Sequence, residues 1–168
     1  MKILFLDFDG VLNSKTSFHA AHLAWQATGL PTKTEEYRWP LGHLCRENVV
    51  LLNEIVEKTG CKIVVSSSWR ILATNEQLKK WLPLRGFKYP EAFIDQTGRD
   101  SKDARGGEIQ DWLDSHLEVA AYVILDDDSE DIVGSYTTKK HPNNFVKTDF
   151  NSGLTVVEME KAIKILNS

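Results

Sequence analysis

Three short apolar runs, each ending on a carboxylate or hydroxyl side chain, constrain this chain more than any other feature. Lys2 to Leu6 leads into Asp7-Phe8-Asp9-Gly10, Cys61 to Val65 into Ser66-Ser67-Ser68-Trp69-Arg70, and Val119 to Leu125 into Asp126-Asp127-Asp128. Short runs rich in branched residues and bounded by turn signals read as strands buried on both faces. Gly10 marks the first exit as a turn, because glycine adopts backbone angles that other residues avoid.

Helical patterns alternate with these runs. Leu44 to Lys58 places Val49, Leu52, Ile55 and Val56 on one face and meets a stop at Gly60. Asn75 to Leu82 reads as a helix followed by Pro83 and Gly86, and Glu108 to Leu117 as another, with Ile109, Trp112 and Leu113 inward. Val156 to Leu166 closes the chain as a last helix. Tyr89 to Asp103 is loop-rich, with a short strand expected at Ala92-Phe93-Ile94. Strands alternating with helices predict an α/β fold, a Rossmann-like parallel sheet covered by helices on both faces. Residues 1–168 read as a single domain. Its one irregular stretch, about 14–42, is a loop or small cap insertion with a short helix over Ala20 to Ala27 and breaks at Gly29-Leu30-Pro31 and Trp39-Pro40.

Composition excludes several classes. A hydrophobic share of 42% with 26% charged residues describes a globular chain, not a disordered one. No apolar run is long enough to span a bilayer, so no membrane association is expected. The N-terminal stretch reads as a buried strand without a signal-peptide cleavage site. Cys45 and Cys61 are too few for a disulfide framework, and they fit free thiols in a reducing, cytoplasmic setting. A net charge of -4 argues against wholesale attraction to nucleic acid, while leaving room for a local phosphate site.

Ligands of open α/β sheets bind beyond the carboxyl ends of the strands. Such a sheet gathers Asp7, the Ser66 cluster and Asp126-Asp127 at one rim. Like charges brought together there repel unless a cation or a proton offsets them. An oxygen-only donor set suits a hard cation such as Mg²⁺, with Asp7, Asp9, Asp126 and Asp127 as its candidate ligands. In Asp-x-Asp, the first carboxylate is placed to attack phosphorus, and the second to protonate the leaving oxygen and later activate water. Asp-x-Asp-Gly also caps ordinary turns, and that reading stays open for the motif taken alone.

With these residues in place, the chain resembles the haloacid dehalogenase (HAD) superfamily of aspartate-nucleophile phosphatases. Asp7-Phe8-Asp9-Gly10-Val11-Leu12-Asn13 is similar to the first motif of that superfamily, Val64-Val65-Ser66 to its second, and Ile124-Leu125-Asp126-Asp127 to its fourth, the acidic pair near the metal. The resemblance implies a Mg²⁺-dependent phosphomonoesterase with Asp7 as nucleophile, Asp9 as acid/base and Ser66 on the phosphoryl group. Ser67 is the alternative to Ser66. It also implies a third-motif cation near a helix start: Arg105 is four residues before Ile109, with Lys102 its competitor and Arg99 more distant. Gly10, Ser67, Arg70 and Lys102 are further candidates for holding the substrate phosphate, although Arg70 equally suits a surface ion pair. Asp128 and Asp131 suit capping of the turn that follows.

Ser66-Ser67-Ser68-Trp69-Arg70, Arg105-Gly106-Gly107-Glu108-Ile109 and Gly153-Leu154-Thr155 also resemble the HAD-like domains of RNA-repair proteins. That narrower likeness implies a nucleic-acid end as substrate, beside the broader expectation of a phosphorylated small molecule. Trp25, Tyr37 and Trp39 in the insertion suit either base stacking or sealing of a lid, and His19, His22 and His43 read as solvated or structural. Two other classes compete: a phospho-accepting signalling domain and a non-catalytic interaction module of the same fold.

Overall fold

The computed structural model describes residues 1–28, 41–98, 104–133 and 141–168. Five parallel strands form one sheet: β1 (Lys2–Leu6), β2 (Lys62–Val65), β3 (Phe93–Gln96), β4 (Ala121–Asp126) and β5 (Phe145–Lys147), in the order β3-β2-β1-β4-β5. The helices are α1 (Lys15–Thr28), α2 (Arg46–Thr59), α3 (Asn75–Trp81), α4 (Ala104–Asp114), α5 (Ser129–Val133) and α6 (Val156–Leu166). The fold is therefore the expected Rossmann-like α/β arrangement.

The apolar runs are continuous because both faces of the sheet are covered. Alternate side chains enter different cores. Leu4, Leu6, Ile63, Val65, Val123 and Leu125 pack in one core with buried residues of α2, α3 and α6. Ile3, Phe5, Val64 and Ile124 pack in the other with Ile109, Trp112 and Ile132. Phe5 meets Trp112 edge-on, with ring centroids 5.4 Å apart, a favoured aromatic geometry.

Strand order decides where the site forms. From β1 the chain moves outward through β2 to β3, then crosses back through α4 to β4 on the other side of β1. The switch point of the sheet thus falls between β1 and β4, where open α/β sheets bind ligands. Register aligns Leu6 with Val65 on one side and with Leu125 on the other. The residues that follow these three positions emerge side by side.

Several expected boundaries move. The helix expected over Ala20 to Ala27 begins at Lys15, so the insertion opens as a helix directly after the Asp-x-Asp loop. The helix expected over Glu108 to Leu117 begins at Ala104 and ends at Asp114, which leaves Leu117 90% exposed. Strand β4 starts later than expected and includes Asp126 as its last residue. Strand β3 runs on to Gln96, while α5 and β5 had no counterpart in the sequence reading. Arg99, Lys102, Tyr37 and Trp39, and the side chains of Trp25 and Asp131, lie outside the described residues. Among the described residues no helix is long and apolar enough to cross a membrane.

Candidate active site

The loop after β1 is fixed by backbone bonds before any side chain acts. Asp7 N–H donates to Leu125 O at 3.0 Å, and Ser66 N–H to Leu6 O at 3.1 Å, extending both ladders one residue past the strand. The amides of Val11, Leu12 and Asn13 then converge on Phe8 O. Gly10 has φ +70°, as the turn signal required. Its N–H donates to Asn13 Oδ1 at 3.0 Å, and its carbonyl accepts from Thr148 Oγ1 at 2.7 Å. The Gly153-Leu154-Thr155 segment braces the same loop. Leu154 N–H donates to Val11 O at 2.8 Å, and the absent side chain of Gly153 leaves room for Asn48 Nδ2, which also donates to Val11 O.

Three carboxylates meet above the sheet. Asp7, Asp126 and Asp127 each offer an oxygen within 4.8 Å of the others. Asp7 is 3% exposed and Asp126 fully buried. Arg105, in the first turn of α4, donates from Nη1 to Asp7 Oδ2 at 2.9 Å and also to Asp126. Burial raises the pKa of Asp7, opposed by the Arg105 guanidinium, a hydrogen bond from Ser67 and the Phe8 N–H. Burial, and then the Asp7 charge, push Asp126 up to about 7. Burial also raises Asp127. One guanidinium beside three crowded carboxylates leaves the cluster with an excess of negative charge that a proton or a divalent cation could offset. Its hard, all-oxygen donor set fits Mg²⁺.

Asp9 has a different set of partners. Its Oδ1 accepts from Asn13 Nδ2 at 2.7 Å and from Trp69 Nε1 at 3.1 Å. Trp69 is in turn stacked on Phe8, with ring centroids 4.7 Å apart. Asp9 was expected among the metal ligands, yet its carboxylate is not one of the three that gather. The two donors fix the orientation of its Oδ1 apart from that group.

The remaining candidates divide. Ser67 Oγ lies 3.4 Å from Phe8 N and caps Trp69 N–H at 3.2 Å, at the start of the 3-10 turn Ser68–Ile71. Ser66 is fully buried, and its Oγ has no hydrogen-bond partner among the described residues. Arg70 is drawn elsewhere: Nη2 donates to Glu108 Oε2 at 2.6 Å and Nη1 to Thr97 Oγ1 at 2.9 Å. Of the two readings for Arg70, phosphate contact or a surface ion pair, the structure shows an ion pair, but a largely buried one, with the side chains 10% and 9% exposed. Asp128 caps α5 through Glu130 N–H at 2.9 Å. Cys45 and Cys61 are free thiols.

The sequence reading did not assign roles to Asn13, Trp69, Thr148 or Glu108. Asn13 had a usable signal, since Asn four residues beyond Asp9 in a tight loop is a natural side-chain cap. The other three act across long sequence separations and leave no local trace.

The fold and the acidic rim define a domain of the HAD type, a class of hydrolases. A family model described as the HAD domain in Swiss Army Knife RNA repair proteins matches residues 3–159, nearly the whole chain, and the chain belongs to that family. Comparison with curated proteins found no match, and comparison with solved structures found none.

Proposed function

We propose that this domain is a Mg²⁺-dependent phosphomonoesterase that works through an aspartyl-phosphate on Asp7, with Asp9 as acid/base. The observation that carries the reading is the division of labour at one rim. Asp7 and Asp126 share Arg105 at the ends of adjacent strands, while Asp9, two residues on, is held apart by Asn13 and Trp69. Residues 1–168 act as one domain, with residues 14–42 as its small cap.

Asp7 attacks phosphorus through a carboxylate oxygen as the bond from phosphorus to the leaving oxygen breaks, and Asp9 gives that oxygen its proton. Asp9 then takes a proton from water. The water oxygen bonds to phosphorus, and the bond from phosphorus to Asp7 breaks, releasing phosphate and returning Asp7 to its carboxylate and Asp9 to its protonated form. Arg105 opposes the rise that burial imposes on the Asp7 pKa and faces the charge that develops on the equatorial oxygens. Ser66 and Ser67 supply hydroxyls for the same oxygens, and Gly10 lets the loop approach them without a side chain. Arg70, paired with Glu108, is left with a supporting role at most. Asp7, Asp126 and Asp127 would hold Mg²⁺, which screens the repulsion between carboxylate and phosphate.

The family's description supports a phosphorylated nucleic-acid end as the substrate over a free metabolite. Phosphate release should be measured with Mg²⁺ on oligonucleotides phosphorylated at either end, on nucleotides and on sugar phosphates. Asp7→Asn is expected to abolish release while far-UV circular dichroism stays unchanged. Full activity in that variant would refute the nucleophile assignment, and activity surviving chelation would refute the metal.

A further inference from the structure

We propose that the cavity beside Asp9 is a stacking pocket for the terminal nucleobase of the substrate, so that the leaving group is the nucleoside end of a polynucleotide. This deepens the phosphomonoesterase reading and rests on it for the role of Asp9. The cavity is about 430 Å³ and is walled by Phe18, His43, Trp69, Leu72 and Phe150 around Asp9. That volume is within the range of small-ligand sites. An acid that protonates the leaving oxygen must be within hydrogen-bond reach of it, and Asp9 lines this cavity, so the cavity adjoins the leaving group.

The walls select for a flat, uncharged group. Phe18 and Phe150 lie within 28° of parallel with centroids 6.4 Å apart, wider than the 4.7 Å stack of Phe8 on Trp69. His43 adds a third ring, 4.5 Å from Phe18, and burial lowers its pKa, so it faces the cavity uncharged at neutral pH. Phe150 and Leu72 are each 44% exposed, apolar surface that the core does not use. No lysine or arginine lines the cavity among the described residues, so a phosphate or carboxylate seated inside it would meet Asp9 without a counter-charge, whereas a nucleobase is uncharged and leaves the chain's own phosphates outside.

The rim is built in advance. Lys15 N–H donates to Phe150 O at 2.9 Å, and Thr16 Oγ1 to Asn151 O at 3.2 Å, tying α1 to the turn that carries Phe150. Ser17 Oγ donates to His43 O at 2.9 Å, which fixes the opposite wall. Backbone tethers of this kind lower the ordering cost of binding a base.

The test is equilibrium binding, read by fluorescence anisotropy, of two short 3′-phosphorylated oligoribonucleotides equal in length and charge, one ending in an abasic ribose. Equal charge cancels the phosphate contribution, so the affinity ratio reads the terminal base alone. Turnover is prevented in two ways, by Asp7→Asn and by wild type under chelator. In both settings the base-bearing end should bind about tenfold more tightly, and Phe150→Ala should bring the ratio to within about twofold. Equal affinities in both settings would overturn the pocket, as would a phosphotyrosine peptide binding as tightly as the base-bearing oligonucleotide. Phosphate release by wild type with Mg²⁺ is scored separately. Release from both oligonucleotides with equal affinities sinks the pocket alone, and base-dependent binding without release sinks the phosphatase reading alone.

Discussion

Replacing Gly10 by alanine separates the turn from the metal site. A Cβ at residue 10 would lie 2.4 Å from Asp127 Cγ and 2.6 Å from its Oδ2, about 1 Å inside the 3.4 Å at which ordinary contact begins. Something must move. The backbone at residue 10 is pinned on both sides, by Asn13 Oδ1 on its N–H and by Thr148 Oγ1 on its carbonyl. Asp127 is half-buried on a bend and is freer to rotate, so the displacement should fall on a candidate metal ligand. The positive φ adds about 1–2 kcal/mol of strain for any residue with a Cβ. Gly60 provides the control, since φ is +66° there too, but nothing lies within 4 Å of its would-be Cβ. Both variants should lose about 1–2 kcal/mol in urea unfolding with chelator present. Gly10→Ala alone should lose Mg²⁺ affinity, by on the order of tenfold or more in calorimetric titration, because Mg²⁺ tolerates little distortion of its ligand shell. Unchanged Mg²⁺ affinity in Gly10→Ala would refute the placement of Asp127 in the metal site. Equal loss in Gly60→Ala would refute the argument from contact.

The pH dependence of stability should reveal the crowded carboxylates. A pKa raised to about 7 in the folded state makes Asp126 a source of stability below an ordinary carboxylate value, lost as pH rises through about 7. Metal-free protein should therefore lose up to about 4 kcal/mol from this group between pH 4 and 8, with Mg²⁺ restoring most of it at the upper end. Urea midpoints with chelator and with Mg²⁺ read this directly, and a Mg²⁺ effect independent of pH would contradict it. Trp69→Phe keeps a ring on Phe8 but removes the donor to Asp9 Oδ1, so kcat should fall about tenfold with little change in stability. An unchanged kcat would deny Trp69 a positioning role. Glu108→Ala leaves the buried Arg70 guanidinium without its carboxylate and should cost about 3–5 kcal/mol in urea unfolding. A loss below 1 kcal/mol would mean that Thr97 and water suffice.

Much of the fold was legible because its signals are contiguous. Lys2–Leu6 and Val156–Leu166 came out at their expected ends, since an uninterrupted branched run and a strong amphipathic pattern each report on their own residues. Strand β5 did not, because three residues at a sheet edge, with only Val146 buried, carry no periodicity. Helix α4 begins at Ala104, ahead of the amphipathic pattern expected from Glu108, because two glycines in its first turn contribute no side chains to a pattern. Gly106 and Gly107 are both buried there.

The sequence by itself determined which groups reach the rim. Carboxylates and serines directly after buried strands must emerge at one end of a parallel sheet, whatever the details of packing. It also determined that the rim is too acidic to be neutral without help. Tertiary structure alone decided how those groups divide the work. Arg105 reaches Asp7 across ninety-eight positions and Trp69 reaches Asp9 across sixty, while Arg70, equally basic and nearer the rim in sequence, is claimed by Glu108. Strand order and helix placement set those partnerships. A side chain's charge is written in the sequence, but which opposite charge lies within 3 Å of it depends on how distant elements pack.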